Sequence, residues 1–188
     1  MNRFKRPLIY LLIIVIAAVV IYFLSGCEEK QVDARDFTSF KTTTISGKTI
    51  DQSVFKGYKI TMINFWGTFC GPCIEEMPDL GDIYEERQSK DFNIIGIVTD
   101  VQGEDYKVLN DMMAKATSII DTTGADYKHL LLYEGIISDV MEPYKFQGIP
   151  TTFFVDSEGN VIGTPVVGRK SKSAWDDIID EKLVEVSN

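Results

Sequence analysis

The stretch NFWGTFCGPCIEEMP, Asn64 to Pro78, joins an apolar run to a helix-like segment through two cysteines separated by Gly71 and Pro72. A dithiol at Cys-x-x-Cys spacing can close into a small ring disulfide. At a helix N-terminus the first sulfur ionises more readily, because the free N–H groups and the helix dipole favour negative charge there. Cys70 is therefore the candidate nucleophile and Cys73 the candidate resolving thiol.

Working outward, Lys59 to Trp66 (KITMINFW) is rich in β-branched and aromatic residues and reads as a buried central strand. From Cys70 to about Lys90 the residues Ile74, Met77, Leu80, Ile83 and Tyr84 recur at spacings of three and four, which predicts a helix with one buried face, kinked at Pro78. Phe92 to Val98 (FNIIGIV) reads as a second buried strand. Gly103 to Ile120 carries Tyr106, Leu109, Met112, Met113 and Ala116 at helical spacing. Strand–helix–strand–helix alternation implies an α/β domain with a parallel-leaning sheet.

Upstream, Phe37 to Asp51 alternates around Ser46-Gly47 and predicts a β-hairpin, followed by a helical turn over Gln52 to Gly57. Between Asp121 and Gln147 the pattern weakens, with a short strand at Lys128 to Leu132 and a helix at Gly135 to Lys145. Thr151 to Asp156, the turn Ser157 to Asn160 and Val161 to Val167 read as strand–turn–strand. The last helix is expected to open with a capping box at Ser173 and Asp176 and to bury Trp175, Ile178, Ile179, Leu183 and Val186.

Met1 to Pro7 is basic and Leu8 to Leu24 is an uninterrupted apolar run, matching the two parts of an export signal. The 17 residues of that run also sit at the short end of the roughly 17–25 that cross a bilayer, so an uncleaved anchor is the alternative. Leu24-Ser25-Gly26-Cys27 resembles the lipobox of bacterial lipoproteins, which would make Cys27 the lipidated first residue after removal of residues 1–26. Either route tethers the chain to the cell membrane with its folded part facing outward. Residues 27–36 are polar and aperiodic and read as a linker, leaving 37–188 as the folded domain. Beyond residue 26 there are 16 basic against 28 acidic residues, a balance that argues against a nucleic-acid partner. Three cysteines are too few for a disulfide-stapled scaffold.

A strand ending in Asn64-Phe65-Trp66, then Cys70-Gly71-Pro72-Cys73 on a helix with Pro78, and downstream Gly148-Ile149-Pro150-Thr151-Thr152-Phe153 resembles the thioredoxin superfamily, in its extracytoplasmic TlpA/ResA-like branch. The likeness runs from about Phe37 to Glu185. It implies a thioredoxin fold: a central mixed sheet of four or five strands flanked by helices, an N-terminal β-hairpin, and an insertion before the Pro150 loop, within Asp121 to Gln147. It also implies that Cys70 is the exposed attacking cysteine, Cys73 the buried resolving one, and Pro150 a cis-proline beside the dithiol. A cis bond there would hold the Ile149 backbone edge open for a substrate segment. Two positions depart from the wider superfamily. Asn64 stands where cytoplasmic thioredoxins carry a buried Asp, and the branch's own Glu, six residues after the first cysteine, is matched by Glu76. Phe69 replaces the more frequent Trp.

On this reading Cys70 attacks a substrate disulfide and Cys73, deprotonated with help from Glu76, releases the reduced substrate. Trp66, Phe69, Gly71, Pro72, Ile149 and Pro150 are the candidate substrate-contacting residues, with packing the alternative role for the two aromatics and the expected one for Trp66. The resemblance implies oxidised protein clients, with apocytochrome c, methionine sulfoxide reductase and peroxidases as candidates, and an electron donor of the CcdA/DsbD membrane type. No cofactor is expected. No metal is expected either, since only His129 and Cys27 remain as soft ligands. A thiol peroxidase would carry Pro-x-x-x-Thr-x-x-Cys, where this chain has Ile63 and Gly67, and a copper-delivery module would need Cys-x-x-x-Cys. A non-catalytic lipoprotein binding module remains the other alternative.

Overall fold

The computed structural model describes residues 36–88 and 91–187; the expected leader, Cys27 and the linker up to residue 35 lie outside them. Among the described residues no helix is long and apolar enough to cross a membrane. The elements follow in the order β1 (Lys41–Thr43), β2 (Thr49–Asp51), a 3₁₀ turn (Gln52–Phe55), β3 (Ile60–Trp66), α1 (Gly71–Arg87), β4 (Phe92–Val98), α2 (Asn110–Thr123), β5 (Lys128–Leu131), a π-helical turn (Ile137–Met141), β6 (Thr151–Val155), β7 (Val166–Val167) and α3 (Lys172–Glu185).

β3 and β4 are buried on both faces along their whole length, the condition of parallel strands covered on both sides. They belong to a five-stranded sheet of order β5-β4-β3-β6-β7, in which β3, β4 and β5 run parallel, β6 is antiparallel to β3, and β7 is antiparallel to β6. β1 and β2 make the expected hairpin, a separate two-stranded sheet joined to β5 by a bridge between Thr44 and Leu130.

Strand alternation divides the core into two. Ile60, Met62 and Trp66 of β3, with Ile94 and Val98 of β4, join buried residues of all three α-helices, including Met77, Leu80, Ala116, Trp175 and Ile179. Ile63, Phe65, Ile95 and Ile97 join Phe37, Phe40, Phe55, Tyr133 and Val140 from the N-terminal segment, the 3₁₀ turn and the π-turn region. Arg87 ties α1 to α3 through Asp176 and Asp180.

Several elements depart from the sequence reading for identifiable reasons. α2 begins at Asn110, so Tyr106 and Leu109 are not helical; Gly103 opens a turn in which Tyr106 takes φ +58° and Asp105 accepts from the Lys107 amide. Val161 to Val167 is not one strand. Val161 bridges Val155 and Val166–Val167 pairs with Thr151 and Thr152, but between them Gly163 adopts φ +69° and Pro165 has no N–H to offer. The cap of α3 is Ser171, whose hydroxyl accepts from the Ala174 amide, not Ser173; Asp176 is engaged by Arg87. Of the helix expected over Gly135 to Lys145 only the π turn forms. α1 continues through Pro78 to Arg87. The segment expected to hold the insertion supplies the end of α2, the edge strand β5 and that turn.

The middle of β4 contains a glycine because of what lies above it. A Cβ on Gly96 would overlap the imidazole of His129, which accepts from the Trp66 indole at Nδ1 (3.0 Å) and meets the Ala125 carbonyl through Nε2 (2.9 Å). Gly96→Ala is therefore expected to cost about 1–3 kcal/mol, read as a lowered urea midpoint. His129 is itself buried, and burial pushes its pKa from 6.5 down to about 4. The unfolded chain then takes up this proton before the folded one does. Stability contributed above about pH 6.5 is lost as the pH falls towards 4, amounting to about 2–3 kcal/mol by pH 4.5. Urea unfolding at pH 7 and 4.5 is expected to show this loss, and His129→Gln to lose less over the same interval by that amount.

Candidate active site

β3 delivers the chain to a tight approach, Gly67 to Phe69, and then to α1. Asp100, just beyond β4, holds that approach: its carboxylate accepts from the Thr68 amide (2.9 and 3.0 Å to its two oxygens) and from the Thr68 hydroxyl (2.7 Å). Cys70 is the N-cap of α1, with Gly71 and Pro72 following at its exposed start. Proline costs nothing in a first turn, where no intrahelical partner exists for the missing N–H. The Cys73 amide donates to Cys70 Sγ at 3.2 Å, so one of the free N–H groups of the helix start points at the candidate nucleophile.

Cys70 and Cys73 are joined in a disulfide with 5.3 Å between their Cα atoms. Cys73 is buried, at 1% exposure, as expected. Cys70 is more covered than the expected exposed cysteine, at 5%, because in the disulfide its sulfur lies against the helix start. Phe69, by contrast, is 71% exposed. The Ile149–Pro150 peptide bond is cis, Ile149 is half-buried and Pro150 is buried. The Ile149 side chain and the Phe69 ring both border the space beside Gly67, just ahead of the disulfide's helix. Trp66 is fully buried and bonded to His129; of the two roles open to it, it takes packing.

Glu76 lies on the inner face of α1 and is completely buried. Three elements donate to it, and a fourth, β6, supports one of the donors. Oε1 accepts from Asn64 Nδ2 of β3 at 3.0 Å, and the same Nδ2 donates to the Thr152 hydroxyl of β6 at 3.0 Å. Oε2 accepts from the Lys170 amide at 3.1 Å, in the loop between β7 and α3, and from Trp175 Nε1 of α3 at 3.3 Å. Burial pushes its carboxyl above the ordinary carboxylate range, and the Lys170, Asn64 and Trp175 donors pull the other way. A carboxyl so placed gives and takes its proton at a higher pH than a solvated one. Glu75, by contrast, is exposed and paired with Arg169.

The sequence pointed to Cys70, Cys73, Glu76 and Pro150 but not to Asp100, Thr152, Lys170 or Trp175. Trp175 carried a signal, since a buried indole N–H needs an acceptor and an apolar helix face supplies none.

A mixed sheet in this order, with a cysteine pair where the middle strand passes into its helix and a cis-proline loop entering the neighbouring antiparallel strand, is the thioredoxin fold. The chain belongs to the AhpC/TSA family, whose profile matches residues 34–163. It is 28% identical over 155 residues to the thiol-disulfide oxidoreductase ResA of Bacillus thuringiensis subsp. konkukian, a match that covers 81% of this chain and 79% of the relative. The protein of the same name from Bacillus subtilis is 27% identical over 153 residues, covering 81% and 77%. Among solved structures, a thioredoxin-family thiol:disulfide interchange protein from Chlorobium tepidum superposes with a TM-score of 0.61 at 27% identity, over 79% of this chain and 95% of that one. The pneumococcal exposed lipoprotein thioredoxin of Streptococcus pneumoniae gives 0.55 at 25% identity, over 76% and 98%.

Asp100 gives this region a testable anchor. Asp100→Ala leaves the Thr68 amide and hydroxyl without their acceptor and is expected to lower the unfolding free energy by about 1–3 kcal/mol in urea titration.

Proposed function

We propose that the chain is a membrane-tethered, extracytoplasmic thiol–disulfide oxidoreductase that reduces disulfides in protein partners. The observation that carries this reading is the Cys70–Cys73 disulfide at the mouth of α1, with a helix-start amide on Cys70 Sγ and a buried carboxyl on the same helix. The names of the relatives support it. In the reduced protein Cys70 ionises and attacks a client disulfide, forming a mixed disulfide and expelling one client thiolate. Cys73 passes its proton to Glu76 and its thiolate attacks Cys70 Sγ, expelling the second client thiolate and closing the Cys70–Cys73 bond. The client gains two electrons and the protein loses two, which a donor dithiol must restore.

Gly71-Pro72 between the cysteines is the dipeptide of thioredoxin itself and supports reductant over oxidant. Phe69, Ile149 and Pro150 would meet the client, with the Ile149 backbone pairing to its extended segment. Apocytochrome c, methionine sulfoxide reductases and peroxidases are the candidate clients, and a CcdA/DsbD-type membrane protein is the candidate donor. The Leu24 to Cys27 signature supports a lipid anchor on Cys27, as does the lipoprotein named among the structural relatives. A thiol peroxidase reading is disfavoured by Gly67, which has no hydroxyl to place three residues before Cys70.

Insulin reduction with dithiothreitol tests the chemistry in the full-length protein. Cys70→Ser is expected to fall to background; retained activity would overturn the nucleophile, and an inactive parent chain would favour a binding module. Glu76→Gln is expected to slow the resolving step about a hundredfold and flatten its pH dependence, read by stopped-flow kinetics of the mixed disulfide. Incorporation of labelled fatty acid in cells, lost in Cys27→Ala, tests the anchor.

A further inference from the structure

The two oxygens of Glu76 are held by different kinds of partner, and this separates their roles. Oε2 receives two donors, the Lys170 amide and the Trp175 indole, which fill its two in-plane acceptor positions. Neither donor can turn round and accept. A proton placed on Oε2 would take one of those positions and break the bond to one of the two N–H groups. Among the described residues Oε1 receives one donor, Asn64 Nδ2, which leaves it an acceptor position.

Asn64 is also the partner that can change sign. Its Oδ1 is buried and has no hydrogen-bond partner among the described residues, while its Nδ2 serves both Glu76 and Thr152. A half-turn of the amide exchanges the two atoms. Oδ1 then accepts from a protonated Oε1, and the Thr152 hydroxyl, which both donates and accepts, reverses its own bond to match. An aspartate at position 64 would lack the donor needed by the ionised form.

We infer that Oε1 is the proton-carrying oxygen of Glu76, and that Trp175 and the Lys170 amide are positioning groups that hold Oε2 and stabilise the ionised carboxylate. This rests on the proton-relay role of Glu76 proposed above. The other charged or titratable groups that face this carboxyl are few. Tyr127, preceding β5, is buried and feels its charge; Lys170 adds a favourable charge, its ammonium held by the Val167 and Gly168 carbonyls. On α1 itself, Asp79 accepts from the Lys172 amide, and the two cysteines do not titrate while oxidised.

The consequence reaches beyond the carboxyl. Lys170 and Trp175 stand on either side of the α3 cap, so the loop from Gly168 to Ser171, which leads out of edge strand β7, is fastened to the same oxygen that is never protonated. Glu76 can load and unload its proton while that loop keeps its bonds.

The test uses the full-length oxidised protein in detergent, labelled with ¹⁵N and titrated with acid and base. The Trp175 indole and Lys170 amide resonances are expected to shift together at one midpoint, without broadening into exchange with solvent, and the Asn64 side-chain amide to titrate with them. All three responses vanish in Glu76→Gln. Trp175→Phe removes one donor to the charged form and is expected to move that midpoint up by about one pH unit. The rising limb of the Cys73-dependent step should move by the same amount, with the Cys70 ionisation unchanged. An unmoved midpoint in Trp175→Phe overturns the inference. If that variant does not fold, indole and amide resonances of the parent protein that ignore the Glu76 titration overturn it alone. If instead those resonances follow Glu76 but Glu76→Gln leaves the pH dependence of Cys73 unchanged, the relay role fails and the anchoring of Oε2 stands.

Discussion

A carboxyl group with no contact to solvent lies at the centre of this domain, and its need for donors organises what surrounds it. Burying a charge is costly unless hydrogen bonds replace water. Glu76 obtains them from β3, from the loop after β7 and from α3, which fixes the distance of α1 from the sheet and brings the C-terminal helix across it. Asp79, one turn further along α1, repeats the device by accepting from the Lys172 amide. The cysteine helix is thus held by carboxylates reaching out to main-chain amides of the loop that leads into α3, in addition to its apolar face.

The sheet divides the labour. On one side, all three helices share a core with the dithiol; on the other, the N-terminal segment, the 3₁₀ turn and the π-turn region cover the sheet, with Phe37 packed against Phe65 of β3 and Phe153 of β6. The candidate chemistry sits where β3 leaves the sheet, between these layers. Asp100 holds the approach to Cys70 from the β4 side, and Ile149 approaches it from the β6 side.

What was legible in the sequence follows from how locally each feature is encoded. β3, β4 and α1 were plain, since buried parallel strands are continuous apolar runs and α1 shows its period over several turns. Cys70, Cys73 and Glu76 share one short stretch; the Cys-x-x-Cys spacing pointed to the two cysteines, and the family resemblance carried by that stretch pointed to Glu76. Lys170 was invisible because it acts through its main-chain amide, which any residue but proline could supply. Trp175 was read as core, and it is, but its N–H acquires meaning only when α3 is laid against α1. Tyr106 and Leu109 had the right spacing for a helix, yet Gly103 and the Asp105 side chain offered the backbone a turn instead. Ser173 with Asp176 read as the cap of the last helix, but Asp176 is engaged by Arg87, more than eighty residues earlier in the chain, and Ser171 caps the helix instead.

The Lys170 side chain also bears on how many copies of this domain can crowd together. Sheets end in strands whose free amides and carbonyls invite another sheet to join. Here the β5 edge is occupied by the hairpin, through the Thr44–Leu130 bridge and the Ile45 amide on the His129 carbonyl. The opposite edge, β7, is only two residues long, follows Pro165, and has its Val167 carbonyl already taken, with that of Gly168, by the Lys170 ammonium. A domain with bare strands at both margins would offer that backbone to its neighbours. Closing both margins of the sheet guards against edge-to-edge polymerisation.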